Sequence, residues 1–476
     1  MLFNSFEFLL FLPVVFLLYC FVFKQLSRQN LFVVVASYFF YGWWDWRFLV
    51  LIAFTSLCSY YSGILLEKAE NKRTKQKWIS ASNIVLNLLI LGIFKYFNFF
   101  SEGFAALFQS FGYRMDTVTL DILLPVGISF YTFQALSYSI DVYQHKIKPT
   151  RDPVAFFAFI SFFPQLVAGP IERATNLLPQ FQKERTFDYA KAVDGMRQML
   201  WGFFKKMVVA DNCATAVTKI WSEYQGEPGG QLLLVAVLFT FQIYGDFSGY
   251  SDIAIGCARL FGIELKRNFN FPYFSRDIAE FWRRWHISLT TWFRDYIYIP
   301  LGGSRAGKWK SFRNTMVIFL VSGFWHGANW TFIVWGAYHA LLFLPLLLLG
   351  KNRKYTNTVA AGRLLPSFKE IIQMLSTFLL VVVGWVIFRA ENIAQAWDYL
   401  CRMFSSSLFT FPDRGRSPII YILILLAVEW IQRDKQHALQ IDNVKYRAVR
   451  WGICLLIALY TITNVGDQAD FIYFQF

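Results

Sequence analysis

Apolar segments close to the length of a membrane-spanning helix recur along this chain, and basic residues collect in every second connection between them. The segments fall at 5–23, 31–44, 48–66, 78–100, 120–143, 194–221, 231–258, 314–328, 331–349, 370–389, 418–431 and 446–464. About 20 apolar residues in helical form cross the roughly 30 Å hydrocarbon core of a bilayer. The pattern therefore predicts an all-α polytopic membrane protein with about twelve crossings. Lys24 and Arg28 follow the first segment, Lys68 to Lys77 the third, Lys146, Lys148 and Arg151 the fifth, Lys351, Arg353 and Lys354 the ninth, and Arg433, Lys435 and Lys445 the eleventh. If each segment crosses once, all these loops share a side, and the positive-inside rule makes it the cytoplasm. Both termini then lie outside. The alternate loops are poor in Lys and Arg, with 390–417 the exception at three.

Composition closes off the soluble classes. The chain of 476 residues is 56% hydrophobic and only 16% charged, against about 25% charged in soluble domains. The net charge of +15 lies in short runs between apolar segments. A nucleic-acid binder would gather it on a polar domain; here it fits loops facing anionic lipid. The six cysteines are scattered without a CxxC pair and read as small hydrophobes, so neither a metal nor a disulfide framework is expected. No basic residue precedes Lys24, so the first segment reads as a retained helix, not a cleaved signal peptide. Residues 1–476 form one integral membrane domain, and the absence of an internal repeat weighs against the inverted-repeat transporters.

Two stretches do not fit clean spans. Pro153–Pro170 is apolar but broken by Pro164, Gly169 and Pro170. It reads as a re-entrant or interfacial piece, tolerated where protein or water covers it. Residues 263–313 are basic, aromatic and interrupted by Pro272 and Pro300.

Polar chemistry inside the apolar runs marks the candidate site. His326 lies in Ser322-Gly323-Phe324-Trp325-His326-Gly327-Ala328-Asn329-Trp330. An imidazole at membrane depth needs a partner or a purpose, and histidine is the side chain suited to proton transfer near neutral pH. Starting from Asn314, His326 is about 18 Å along its helix. Gly323 and Gly327 permit close approach by another helix or a substrate, and Trp325 and Trp330 can wall a pocket. His286 lies among Phe281, Trp282, Arg283, Arg284 and Trp285. The spacing predicts an amphipathic helix in the cytoplasmic interface, with His286 functional. His339 is either a packed histidine bonded to a neighbour or lines the same cavity; His145 and His437 read as solvated loop residues. Asp246, Ser248, Tyr250 and Asp252 sit in one apolar run, forming either a buried network between helices or the polar wall of a substrate tunnel. Gly302, Gly307 and Lys308 fit a phosphate-loop spacing. However, Trp309 stands where the magnesium-binding hydroxyl belongs, which excludes a nucleoside triphosphatase. A flexible basic loop touching lipid or the phosphates of a nucleotide-like donor fits better. No GxSxG or HExxH occurs, so a serine hydrolase or zinc protease has no support.

Several longer motifs, in order, resemble the membrane-bound O-acyltransferase family, and within it the membrane subunits of bacterial alginate O-acetyltransferases. They are Leu124–Gln134, Ala168-Gly169-Pro170-Ile171, Gly245–Asp252, Asn268-Phe269-Asn270-Phe271-Pro272-Tyr273, Phe281–Leu289, Arg294–Gly303 and Trp325-His326-Gly327. The resemblance implies that His326 is the family's essential membrane histidine and His286 a second one in its cytoplasm-facing half. It places Asn268, Asn270, Asp246, Ser248, Tyr250, Asp252, Trp325 and Asn329 along a substrate tunnel within a ring of helices. It also implies an extracytoplasmic partner of the SGNH-hydrolase type. The expected activity is acetyl transfer from cytoplasmic acetyl-coenzyme A, across the bacterial inner membrane, to a polysaccharide such as alginate. Arg283, Arg284, Arg305 and Lys308 would attract the donor's phosphates. For the oxyanion of the transfer step, Trp325, Asn329 or a backbone N–H near Gly327 could donate. D-alanyl transfer, peptidoglycan O-acylation and, in another class, transport of a lipid-linked glycan are the competing readings.

Overall fold

The computed structural model describes residues 1–113, 117, 119–120, 124–305 and 307–472. Among these, regular structure is helical throughout, with no strand. Among the described residues, five helices are long and apolar enough to cross a bilayer: Arg47–Lys68, Arg73–Ser110, Gly229–Leu260, Trp330–Leu348 and Phe368–Arg389. Phe6–Val22 and Ile419–Ile431 are shorter apolar helices. Other expected segments also coincide with helices, among them Leu26–Gly42, Lys308–His326 and Arg447–Thr463. The expected segment 120–143 begins at residues of which 121–123 lie outside the described set, and its helix is Ile128–Tyr143. The end of the 473–476 terminus, whose side was inferred from charge, is likewise outside the described residues.

The chain forms two compact units. The first comprises Met1–Ala192 and Cys257–Lys266. Its helices Arg47–Lys68 and Ile128–Tyr143 meet at Gly63, where a Cβ would stand 2.4 Å from the Tyr138 hydroxyl. The broken apolar piece folds here as Pro153–Ser161 followed by the short turn Phe163–Leu166. Asp152 caps the former by accepting from the N–H groups of Val154 and Ala155 at 2.9 and 3.1 Å. Phe156, Phe159, Phe162 and Leu166 are buried, so protein covers this irregular backbone, as its polar groups require.

The second unit comprises Val193–Gly256 and Arg267–Phe476. The best apolar window of Gly229–Leu260 is 83% buried within the protein, so protein, not lipid, surrounds most of this helix. Glycines let its neighbours approach: a Cβ on Gly202 would lie 2.6 Å from the Gly249 carbonyl oxygen, and one on Gly249 2.8 Å from that of Gly202. Lys308–His326 and Trp330–Leu348 cross equally tightly. A Cβ on Gly323 would lie 2.2 Å from Phe332 O, and one on Gly336 2.3 Å from Phe319 O. Close approach at Gly323 therefore serves a helix crossing, one of the two uses its lack of a side chain allowed.

The segment around His286 is not one amphipathic helix lying on an interface. Two short helices, Ile278–Arg284 and Ile287–Phe293, meet at His286 in the left-handed conformation, φ +42°. Phe281, Trp282, Trp285, His286, Leu289 and Trp292 are all buried. The helical spacing of the aromatics survives in each half, but the break turns both halves into the core. Glu280 makes this possible by accepting Arg276 and Arg284, at 3.1 and 2.9 Å, which neutralises arginines that would otherwise need solvent.

Candidate active site

Asn268 builds the surroundings of His286. Its side-chain oxygen lies 3.0 Å from His286 Nδ1, 3.2 Å from the Ser288 backbone nitrogen and 2.9 Å from Ser288 Oγ. Its amide donates to Ser251 Oγ at 3.0 Å, on the Gly229–Leu260 helix. A backbone N–H can only donate, so the Asn268 atom facing Ser288 must be the oxygen. That oxygen in turn requires His286 Nδ1 to carry the proton, leaving Nε2 as the basic nitrogen. Phe247 meets the imidazole edge-on with centroids 4.6 Å apart, and Phe269 and Trp325 lie at 6.3 and 6.0 Å. Burial pushes the His286 pKa down to about 3, so the ring is neutral at physiological pH. A left-handed non-glycine residue costs about 1–3 kcal/mol and collects at functional positions.

His326 is the last residue of the Lys308–His326 helix, about 27 Å from its first residue, because that helix starts six residues before Asn314. Trp325, Trp335 and Phe388 surround its ring with centroids at 5.0, 5.1 and 5.3 Å. Trp325 thus touches both histidines. His339 is buried among rings, with Trp282 and Trp335 at 5.0 Å each and Tyr338 at 5.3 Å, but among the described residues neither ring nitrogen has the hydrogen-bond partner expected of a packed histidine. The room for it exists because Gly384 has no side chain; a Cβ there would stand 2.7 Å from His339 Nε2. His145 is exposed, as a loop residue should be. His437 is not: it is buried, and its Nε2 lies 2.9 Å from Asp194. A basic neighbourhood in sequence misled because Asp194 is 243 residues away.

The carboxylates of the Gly229–Leu260 helix are held by two lysines that sequence reasoning passed over. Lys205 and Lys206 lie in a π-helical stretch, Phe204–Ala210, and both are buried. Lys205 Nζ contacts Asp252 at 2.6 Å and Ser248 at 2.9 Å. Lys206 Nζ contacts Asp246 at 2.7 Å, Asp211 at 2.9 Å and the Ala469 carbonyl at 3.0 Å. Tyr244 donates to Glu429, with oxygens at 2.8 and 2.9 Å. Asp246, Ser248 and Asp252 therefore belong to a buried network between helices. The signal was present: adjacent lysines and an aspartate inside the apolar run Trp201–Asp211, and one carboxylate, Glu429, in Ile419–Ile431.

The stretch after the last helix enters the same network. Ile472 donates its N–H to Asp246 at 2.7 Å, and the Phe471 ring lies 4.7 Å from Tyr250 and 6.1 Å from Phe247. Asn329 caps the next helix: its oxygen accepts from Thr331 N and one N–H of its amide donates to the Glu391 carbonyl at 2.8 Å. The Asn270 backbone exchanges hydrogen bonds with Arg284. Arg283 donates to the carbonyls of Asn352 and Tyr355. Arg305 and Lys308 are exposed. Among the described residues no cluster of three or more His, Cys, Asp or Glu is arranged to hold a metal.

The family model described as MBOAT, membrane-bound O-acyltransferase family, matches residues 41–383. The "Probable alginate O-acetylase AlgI" of Pseudomonas aeruginosa is 42% identical, covering 88% of this chain and 77% of the relative. The "Peptidoglycan O-acetyltransferase" of Helicobacter pylori is 31% identical over 100% of this chain and 98% of its own length. The "Teichoic acid D-alanyltransferase" of Bacillus subtilis is 30% identical over 56% of this chain and 69% of the relative.

Proposed function

The chain belongs to the membrane-bound O-acyltransferase family and is an acyltransferase, and on that premise we propose that it moves an acetyl group from cytoplasmic acetyl-coenzyme A to a hydroxyl on the far side of the membrane, for O-acetylation of a polysaccharide. The observation that carries the reading is the pair of buried histidines sharing Trp325 as a ring neighbour. The two ring nitrogens are separated in role. His286 is held by Asn268 with Nε2 basic, on the donor side. His326, at its helix end, takes the acceptor hydroxyl proton as the oxygen attacks the thioester carbonyl. The carbon–sulfur bond then breaks, the proton returns to the thiolate, and an acetyl ester and free coenzyme A result. Trp325, Asn329 or a backbone N–H near Gly327 stabilises the oxyanion; the Asn329 amide gives one N–H to Glu391 and has a second to offer.

Arg305 and Lys308 attract the donor's phosphates from solvent. Arg284, bonded to Glu280, holds the fold of the His286 segment; Arg283, exposed and tied to two carbonyls, keeps N–H groups for the same phosphates. An SGNH-type partner outside the membrane completes transfer to the glycan. Alginate stands first as acceptor because the alginate relatives share the greater identity. Peptidoglycan is the second reading, because that relative matches the whole chain.

The test is thioester cleavage. Membranes holding the purified chain should release coenzyme A from acetyl-coenzyme A, and His326→Ala should lower acetyl transfer by roughly 10²–10⁴-fold while the protein still accumulates. Transfer within a few-fold of wild type in that variant would refute the assignment.

A further inference from the structure

We propose that the first unit carries a binding site for the phosphodiester of an anionic glycerophospholipid, formed by Arg73, Thr74, Lys77 and Trp78 on one helix and Tyr143 on another. A cavity of about 320 Å³ opens between the start of the Arg73–Ser110 helix and the end of Ile128–Tyr143, lined by Arg73, Thr74, Lys77, Trp78, Ala81 and Tyr143. The lining contains two cations and no carboxylate.

The guanidinium is aimed. Arg73 Cζ lies 3.9 Å over the Tyr143 ring, and Nη1 donates to the Tyr143 carbonyl at 3.0 Å and to Gln76 at 3.4 Å. Stacking and that bond fix the plane of the group. Its Nε and Nη2 make no hydrogen bond, and neither Arg73 nor Lys77 makes an ion pair, among the described residues. An oriented fork with idle donors is the arrangement that receives two oxygens of a phosphate or carboxylate. Lys77 stands one helical turn on, the same face by i,i+4 spacing, and the Thr74 hydroxyl lies on that turn.

A lipid, not a soluble phosphate, is favoured by what continues from the cavity. The helix leaving it is apolar, and its spanning window is only 17% buried within the protein. Val85, Leu88 and Leu89 are exposed beyond it, offering a surface to acyl chains. Trp78 is 69% exposed at its rim, the position where an indole sits at headgroup level. The basic run Lys68–Lys77 puts this rim at the cytoplasmic leaflet, where anionic lipid concentrates.

The full chain in detergent, with phosphatidylglycerol or phosphatidylcholine added at equal concentration, tests the site by native mass spectrometry. Phosphatidylglycerol should be retained on the wild type in preference to phosphatidylcholine. Arg73→Gln with Lys77→Gln should lower that retention on the order of tenfold. Lys77→Gln alone, a neutral change at an exposed position, should lower it in part without placing a carboxylate within i,i+4 reach of Arg73. Millimolar glycerol phosphate should not displace the lipid. Equal retention of the two lipids, retention unchanged in the substituted chains, or full displacement by glycerol phosphate would each overturn the proposal, the last assigning the cavity to a soluble phosphate.

Discussion

Asn268 and His286 are joined by a 3.0 Å hydrogen bond whose direction is set by a third group, the Ser288 backbone N–H on the same oxygen. One asparagine therefore determines which nitrogen of the histidine is basic, and its amide ties the arrangement to Ser251 on the most buried long helix.

Asn268→Ala should impair coenzyme A release more than it lowers stability. Stability falls by the cost of stranding the buried Ser288 and Ser251 groups, about 1–3 kcal/mol. Activity falls further, because His286 can then present either tautomer. Asn268→Asp keeps an acceptor for Nδ1–H and should retain more activity than alanine. Rates and melting midpoints measured together on both variants separate the effects; equal rates in the two would remove the tautomer argument.

The long apolar helices were readable because a 3.6-residue helix in lipid shows as a run of apolar residues about 20 long, whatever it packs against. The lysines were not, because Lys205 and Lys206 are satisfied by Asp252 and Asp246, 47 and 40 positions away. The same distance hid the partner of His437. The break at His286 escaped because helical spacing on both sides is intact and only the backbone turns over. His326 and His286 were visible as titratable groups among tryptophans, while Asn268 drew notice only through its motif.

Gly323→Ala should disturb both folding and transfer. The new Cβ would meet the Phe332 carbonyl oxygen at 2.2 Å and cannot push backbone aside locally. The Lys308–His326 and Trp330–Leu348 helices must separate, at about 1–3 kcal/mol. His326 is three residues on, so its placement against Trp335 moves too. Gly452→Ala, where nothing lies within 4 Å of the added Cβ, is the control and should be neutral or slightly stabilising. Parallel melting curves check both, and equal midpoints would mean the crossing is looser than its geometry.

Lys205→Met should be among the most destabilising substitutions in the second unit. It removes the ammonium 2.6 Å from Asp252 and leaves that carboxylate, among the described residues, only the Gln198 amide at 2.7 Å, in a site where the lysine side chain is 3% exposed. Removing one member of a buried pair costs about 3–5 kcal/mol, whereas removing both is often close to neutral. Lys205→Met with Asp252→Asn should therefore recover part of the loss. A double substitution as unstable as the sum of the single ones would show that the two residues act independently.

The buried histidine also predicts a pH dependence. His286 titrates near 3 in the fold and near 6.5 when unfolded. Between those values the unfolded chain binds a proton that the folded chain does not, so stability falls as pH falls, by about 1.4 kcal/mol per unit. Above about pH 6.5 neither state is protonated and the contribution vanishes. From pH 7 to pH 5 the wild type should lose about 2 kcal/mol more than His286→Gln, which cannot titrate. Comparing how far each midpoint shifts between the two pH values cancels the other titrating groups common to both proteins. Parallel shifts in the two proteins would mean that His286 accepts its proton inside the fold, and would end its description as a neutral base held by Asn268.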